Sequence, residues 1–315
     1  MTSSDLAQPM PNGRARRTAG EIMATAKGQR YYSWLLKILV WLAAALTAGV
    51  ILLMVGYILV TGIPNLTLDL FAWKFTTDNQ SMMPALVNTV VMTLLTLVMA
   101  VPVGVCAAIY MVEYAKRGNK LVKVVRLTAE TLSGIPSIVY GLFGMMFFNI
   151  LLGWGYSMLA GVVTLAIMIL PLILRTTEEA LLSVPDSYRE GSFGLGAGKL
   201  RTVFQVILPP AMPGILSGVI LSIGRIVGES AALIFTSGSG KDNLMFGKSG
   251  DFFADLFAPL FQSTRTLSVH MYNLMSEGLH MKEAQATAVV LLVLVIVINA
   301  GSARLAKKLT ANGQQ

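Results

Sequence analysis

Long apolar segments are the feature that most limits how this chain can fold. A run of about 20 apolar residues is long enough to cross the hydrocarbon core of a bilayer as a helix. Inside a membrane, only helices and closed barrels satisfy their backbone polar groups. Six segments reach the required length, at residues 34–61, 84–112, 124–152, 155–174, 211–236 and 284–303. The sequence therefore predicts an all-α, polytopic membrane protein with six transmembrane helices.

The composition supports this prediction and bears on the class of partner. Charged residues make up 13% of the 315 residues, whereas a soluble domain has about 25%. The net charge of +8 could indicate nucleic acid, but the basic residues concentrate in alternate loops, which is typical of cytoplasmic loops. We therefore expect membrane lipid and no nucleic acid among the partners. The single cysteine, Cys106, lies in an apolar run, so it forms no internal disulfide.

The distribution of basic residues predicts the orientation. They cluster at residues 14–30, 116–126, 175–201 and 304–308, whereas the remaining loops mix them with acidic residues. Under the positive-inside rule, both termini are then cytoplasmic. This predicts a disordered tail over 1–33, a short tail over 305–315, a cytoplasmic loop over 175–210 and an external loop over 237–283. The first apolar run exceeds the core of about 7–15 residues in a signal peptide, so it is interpreted as a membrane anchor.

Neither of two glycine-rich strings fits a nucleotide-binding loop. Such a loop needs a glycine five residues before Gly-Lys and a Ser or Thr after the lysine. Phe193 and Phe235 stand at the first of these positions, and Leu200 and Asp242 at the last. We therefore expect no ATP or magnesium bound by this chain.

The sequence shows no metal site and no catalytic constellation. His270 and His280 lie in the predicted external loop without a neighbouring cluster of Cys or Asp, and we interpret them as solvated loop residues. A zinc-protease helix is absent. We therefore expect a protein that is not an enzyme.

The loop at 175–210 carries a spaced pattern that identifies a family. It resembles the cytoplasmic loop of permease subunits of binding-protein-dependent ABC importers, in which Glu-Ala-Ala is followed at fixed distances by Gly, Ile and Leu-Pro. The matching residues are Glu190, Gly196, Leu208 and Pro209; the departures are Gly191, Ser192 and Val206. The resemblance implies that this loop inserts into a groove of an ATPase subunit. A glycine-rich loop that is merely short is the alternative.

Further stretches resemble the permeases of phosphate importers. They lie at residues 88–89, 102–104, 108–114, 133–141 and 224–235, so that the resemblance covers about residues 84–300. The PstA type is the most similar, with the paired PstC type as a near alternative. The resemblance implies a type I ABC importer permease fold over 84–304, in a bacterial plasma membrane.

The same resemblance implies the partners of the chain. They are a PstC-like paired permease, two copies of a PstB-like ATPase that bind ATP and magnesium, and an extracytoplasmic phosphate-binding protein. The transported anion stays open, because a permease for sulfate or molybdate would share this assembly. An autonomous channel or secondary transporter is disfavoured by the Glu190 loop.

Two charged residues lie inside the predicted span 211–236. Arg225 is roughly 18 Å along a helix from Pro213, near the middle of a core about 30 Å thick. A charge there costs about 2.5–3.5 kcal/mol and usually faces a bundle interior or a water-filled cavity. The i, i+4 spacing predicts Glu229 on the same helix face, where it can form an ion pair with Arg225. We interpret the pair as part of the anion path, or alternatively as a structural pair that locks the bundle.

Three further features are open to two interpretations. Arg175 is a second contact on the path or an ordinary cytoplasmic anchor. Gly134 and Pro136 interrupt the third span, and with Ser137 they line a substrate cavity or only kink the helix. In the external loop, Phe252, Phe253 and Phe257 suggest an amphipathic helix at the interface that helps receive the binding protein; a loop that caps the bundle is the alternative.

Overall fold

The computed structural model describes residues 19–116, 118–241 and 258–312. The predicted tail over 1–18, the predicted amphipathic helix around Phe252, Phe253 and Phe257, and residues 313–315 lie outside the described residues. The chain divides into two units, Met1–Tyr57 and Ile58–Gln315, and each is considered by itself.

Helix α1, Ala19–Gly62, forms the described part of the first unit. Its apolar stretch is long enough to cross a membrane and contains the predicted span at 34–61. Large side chains on all sides are exposed, as Trp41 (76%) and Leu53 (74%) illustrate. A helix that is apolar all round suits a lipid environment. The disordered tail predicted over 1–33 is wrong for residues 19–33, because they continue the helix without a break.

Three long helices form the centre of the second unit: α2 (Met83–Ile109), α5 (Met158–Leu182) and α8 (Leu208–Gly228). Between α2 and α5 lie α3 (Lys120–Ser133) and α4 (Ser137–Gly144). Helix α5 is the central one, since 67% of its most apolar window is buried, against 28% for the span that contains α2. Its residues dominate the main core cluster, which includes Leu165 and Ile169.

The predicted third span, 124–152, is not one straight helix. Helix α3 has polar and apolar faces and no buried residue. It ends at Ser133, and α4 begins at Ser137 and continues as a π-helical segment, Met145–Leu151. The axes of the two parts differ by 103°. The bend falls at Gly134–Pro136, where proline disfavours helical geometry in the residue before it.

The cytoplasmic loop predicted over 175–210 is shorter than expected. Helix α5 extends to Leu182, followed by α6 (Asp186–Gly194) and the one-turn α7 (Lys199–Arg201). A π-helical segment, Thr202–Ile207, then leads directly into α8. Leu208 and Pro209, the Leu-Pro of the importer pattern, lie where this segment joins α8, and Pro209 supplies no N–H to the helix there.

The predicted span 211–236 is interrupted as well. Helix α8 ends at Gly228, Glu229 is extended (φ −75°, ψ 124°), and a short helix α9, Ala231–Thr236, follows. The described part of the predicted external loop 237–283 folds back as α10, Leu267–Glu277, which Gly278 ends in the left-handed conformation. The last helix, α11, Met281–Asn312, includes most of the tail predicted over 305–315.

The second unit has two ends, each named after one of its residues. The Glu190 end carries residues 110–116, 118–119 and 183–207, and the Arg265 end carries residues 63–82 and 258–280. Among the described residues, five helices are long and apolar enough to cross a membrane, and the bent α3–α4 pair makes a sixth span if counted as one. The predicted all-helical, polytopic fold is confirmed.

Candidate functional site

A buried ion pair fixes α6 at the Glu190 end. Arg189 donates from Nη2 to Oε1 of Glu113 at 2.7 Å, and the two side chains are only 15% and 7% exposed. The same guanidinium donates to the carbonyls of Val184 (2.8 Å) and Leu181 (2.9 Å). One arginine therefore joins the end of α5, helix α6 and the π-helical turn that follows α2.

The loop after α6 is held in a defined shape and faces outward. Gly196 has φ +82°, a conformation that favours glycine. Its N–H bonds to the Phe193 carbonyl at 2.9 Å, which closes the end of the helix. Leu195 (92%) and Leu200 (66%) are among the most exposed apolar side chains of the second unit. The sequence thus builds a partly apolar surface that nothing in the described chain covers.

The structure places most of the other pattern residues at this surface. Glu190 and Gly191 are exposed. Ser192 makes a hydroxyl–hydroxyl hydrogen bond to Thr202 at 2.8 Å, which ties α6 to the segment after α7. Leu208 packs against the core cluster beneath, and Pro209 lies beside it in the first turn of α8. Leu208 and Pro209 thus support the surface from inside the fold.

Arg225 lines a cavity between α5, α8 and α11. The cavity has a volume of about 630 Å³ and is lined by Leu172, Ser217, Ile220, Leu221, Gly224, Arg225 and Asn299. Arg225 is half-buried. It forms no ion pair with any residue in 19–116, 118–241 and 258–312. The cavity therefore presents a cationic side chain together with a hydroxyl and an amide.

The predicted ion pair between Arg225 and Glu229 is wrong. The prediction assumed an unbroken helix, whereas α8 ends at Gly228, so the i, i+4 relation does not apply. The Glu229 carboxylate instead accepts from the backbone N–H of Ala232 at 3.1 Å, in the first turn of α9. The backbone carbonyl of Glu229 accepts a hydrogen bond from the Ser268 hydroxyl at 2.6 Å. Glu229 therefore maintains the break in the span and leaves Arg225 without a carboxylate.

The two broken spans meet. Gly141 of α4 lies so close to α9 that a Cβ there would be 2.8 Å from the Cα of Ala232. Ser137, in the first turn of α4, is half-buried but does not line the Arg225 cavity. Discontinuous helices of this kind form the substrate sites of many transporters. Gly134 and Pro136 are exposed at the bend between α3 and α4, and like Ser137 they do not line the Arg225 cavity.

Arg175 lies elsewhere. It is 64% exposed and pairs with Glu179 on its own helix at 2.9 Å. It lines a smaller cavity of about 230 Å³ between α3 and α5, which also contains Arg126 and Glu178, an ion pair. This cavity shares no residue with the Arg225 cavity. The structure therefore does not bring the two arginines together.

The interpretation of the histidines as solvated is wrong for His270. This side chain, in α10, is 0% exposed. His280 is half-buried, and its Nε2 lies 3.3 Å from the Gln80 amide nitrogen. The reason is that α10 folds back onto α2 and α11, so that a polar stretch of sequence becomes part of the packed bundle.

Sequence reasoning missed two residues. Asn299 was overlooked, although an amide that follows the apolar run 289–298 is a usable signal. Arg265 lies in the predicted external loop 237–283, for which basic residues were expected only in mixture with acidic ones, but it is 3% exposed. The sequence carries no signal for its burial, since the burial depends on how α10 packs.

The fold and cavity define a helical membrane permease with a partly buried arginine and an exposed loop at one end. A family model described as "Binding-protein-dependent transport system inner membrane component" matches residues 100–311. The chain belongs to this family. It is therefore a multi-pass membrane permease subunit of an ABC importer, as the Glu190 loop predicted. Permeases of this family work with a separate ATPase and a binding protein.

Individual relatives are all named as permeases, but only some of their names state a transported substrate. The chain is 35% identical over 286 residues to the probable ABC transporter permease protein YqgI of Bacillus subtilis (strain 168), covering 86% of this chain and 95% of that protein. It is 40% identical over 154 residues to the phosphate transport system permease protein PstA 1 of Mycobacterium tuberculosis (strain CDC 1551 / Oshkosh), covering 49% of this chain. The chain spans only half the length of that second relative.

Solved structures show the same fold. A bacterial alginate ABC transporter chain superposes with a TM-score of 0.61 at 15% identity, covering 91% of this chain and 97% of that one. A chain of the MetNI methionine ABC transporter superposes with a TM-score of 0.53 at 23% identity, covering 72% and 94%. At these identities the likeness concerns the fold alone, and it confirms the predicted type I importer permease architecture.

Proposed function

We propose that this chain is the transmembrane permease of an ATP-driven phosphate importer and forms half of its translocation pathway. The observation that carries the proposal is Arg225, a half-buried cation in a cavity of about 630 Å³ with no carboxylate partner among the described residues. The PstA-type relatives support phosphate as the transported anion.

The chemistry of the cavity suits a small oxyanion. The planar guanidinium presents donors that match the geometry of phosphate oxygens. The Ser217 hydroxyl and the Asn299 amide line the same cavity. The Oδ1 atom of Asn299 is buried without a hydrogen-bond partner. Since phosphate near neutral pH carries at least one P–OH group, an unpaired acceptor beside an arginine complements it.

We further propose that the surface around Glu190 and Gly196 docks an ATPase subunit similar to PstB, of which the importer contains two copies. ATP and magnesium would bind to that subunit. The exposed Leu195 and Leu200 offer apolar area for docking. The proposed assembly also contains a paired permease similar to PstC and an extracytoplasmic phosphate-binding protein, in the plasma membrane of a bacterium.

Replacement of Arg225 tests the proposal. In the assembled complex, Arg225→Gln should lower the rate of phosphate uptake by about tenfold or more, since a charge-assisted hydrogen bond is lost. The matched comparison is Arg175→Gln, which removes the same charge from an exposed pair outside the cavity. Uptake of labelled phosphate is measured in cells, and assembly is checked by co-purification of the ATPase.

The possible outcomes separate the alternatives. Normal uptake by an assembled Arg225→Gln complex would remove Arg225 from the path. Failure to assemble would favour a structural role. If the native complex takes up sulfate or molybdate but not phosphate, the permease serves another oxyanion. Function without any ATPase would indicate an autonomous channel or secondary transporter.

A further inference from the structure

Three basic side chains gather around one aromatic ring at the Arg265 end. The Cζ atom of Arg265 lies 4.5 Å from the centroid of the Phe75 ring, and the Nζ atom of Lys241 lies 5.1 Å from it. The His270 ring meets the same ring edge-on at 6.4 Å. These four residues are termed the Arg265 cluster. None of them lines the Arg225 cavity.

The cation of this cluster is buried without acceptors. Arg265 is 3% exposed, and its Nε and Nη2 atoms have no hydrogen-bond partner. Within 19–116, 118–241 and 258–312, no ion pair includes Arg265. Both ring nitrogens of His270, which is 0% exposed, also lack partners. Buried polar groups are nearly always paired, so a set without protein partners requires another partner, such as an ion, a ligand or water.

The protonation states give the cluster a net positive charge. Burial lowers the pKa of Arg265 to about 10, partly offset by the charge of Glu277. The guanidinium is therefore still charged at neutral pH. Burial, and secondly the charge of Arg265, lowers the pKa of His270 to about 3. The nearby backbone of Gln80 partly offsets this lowering of the His270 pKa, although it forms no regular hydrogen bond with either ring nitrogen.

The neighbouring residues add unpaired acceptors and a link to the Arg225 region. Oδ1 of Asn88 and the Thr264 hydroxyl are buried without partners. Asn88 also holds the Arg265 backbone, through a hydrogen bond of 3.3 Å from its amide to the carbonyl. Ser268 donates to the Glu229 carbonyl at the break after α8. The segment that carries Arg265 is thus attached to the break that follows Arg225.

We propose that the Arg265 cluster is a second binding site, for a small oxyanion such as inorganic phosphate. The choice of phosphate rests on the proposed function, whereas the existence of an anion site does not. The unpaired guanidinium donors would bind oxyanion oxygens. The neutral imidazole can donate one hydrogen bond and accept another. Lys241 is exposed and supplies positive charge at the outer edge of the site.

Entry to this site requires a movement of Phe75. The ring lies over the guanidinium, and it is itself half-buried. A cation over a ring face is attracted by the quadrupole of the ring. An arriving oxyanion would exchange this contact for charge-assisted hydrogen bonds, which are stronger. Phe75 and Lys241 therefore form the side of the cluster through which an anion enters.

Direct titration with phosphate tests the site. The assembled transporter, without its binding protein, is placed in phosphatidylcholine nanodiscs and titrated with inorganic phosphate by calorimetry at constant ionic strength. An Arg225→Gln background removes the proposed path site. In that background we expect phosphate binding to persist, and Arg265→Gln to weaken it about tenfold or more. The matched control is Lys282→Gln, which removes an exposed charge at the same end and should change nothing.

Other results overturn the proposal. Equal phosphate affinity with and without Arg265 refutes the site, as does binding that appears only when the binding protein is present. If Arg265→Gln does not fold, Arg265→Lys is used instead, because it keeps the charge but not the planar donors. Unchanged phosphate affinity in Arg265→Lys would also refute the site. Should phosphate uptake prove absent while Arg265-dependent binding persists, the proposed function fails and the site stands.

Discussion

The Arg189–Glu113 pair yields a quantitative test of how the Glu190 end is held together. The guanidinium bridges three segments, as its bonds to Glu113, Val184 and Leu181 show. Arg189→Gln would leave the 7% exposed Glu113 carboxylate buried without a cation. Removal of one partner of a buried pair typically costs about 3–5 kcal/mol. We expect a loss of this size, because Arg189 is the only residue in 19–116, 118–241 and 258–312 that forms an ion pair with Glu113.

The reverse substitution should be milder. In Glu113→Gln, Arg189 keeps its two carbonyl acceptors and Asp186, which accepts from Nη1 at 3.1 Å. We expect a cost of about 1–3 kcal/mol, the cost of a lost bond to a charged group. The double variant removes both charges at once. It should therefore be less destabilised than the sum of the singles, by about 0.5–3 kcal/mol.

The assay is thermal unfolding of the purified chain in nanodiscs, with hydrogen exchange of the α6 amides as a local probe. At about 2–4 °C per kcal/mol, Arg189→Gln should lower the apparent Tm by at least about 6 °C. Arg175→Gln, which breaks an exposed pair, should change little. The reasoning is refuted if Arg189→Gln unfolds like Arg175→Gln, or if the two single effects add in the double variant.

Two more predictions concern docking and orientation. Gly196→Leu should cost about 1–2 kcal/mol of backbone strain, but the new side chain would meet no neighbour. We therefore expect this variant to insert into the membrane and to lose co-purification of the ATPase. The control Gly153→Leu, at a position that is also open and has φ +69°, should retain the ATPase. Full ATPase retention by Gly196→Leu would refute docking. In a Cys106→Ser background, Ser276→Cys is exposed and should react with an impermeant maleimide from outside cells. Reaction only after the cytoplasmic side is opened would reverse the proposed orientation.

Segment length and spacing were enough to predict the class of fold. Apolar runs predict the transmembrane spans because the thickness of the bilayer sets the length of a spanning helix. The spacing of residues around Glu190 predicts the family because the loop has a fixed shape. Gly196 illustrates the second point, since its left-handed backbone explains why a glycine stands there. These features are local in sequence, so a single sequence displays them.

Features that depend on distant contacts were not predictable in the same way. The helix broke at Glu229 although residues 211–236 are continuously apolar apart from two charges. The break is maintained by the hydroxyl of Ser268, 39 residues away. The burial of Arg265 and His270 likewise depends on α10 folding back into the bundle. Periodicity and composition describe single segments and contain no information on which segments pack together.

The positions of the breaks explain how the two ends of the bundle are connected. From Lys199 to Gly228 the chain is one continuous helical stretch, in which Arg225 lies roughly 39 Å from Lys199 at ~1.5 Å per residue. Beyond Gly228 this continuity ends. Helix α9 is connected to α8 through Glu229 and Ser230, and it packs against α4, which also follows a break. Arg225 therefore shares one continuous helical stretch with residues of the Glu190 end, whereas α9 and α10 follow the break at Glu229.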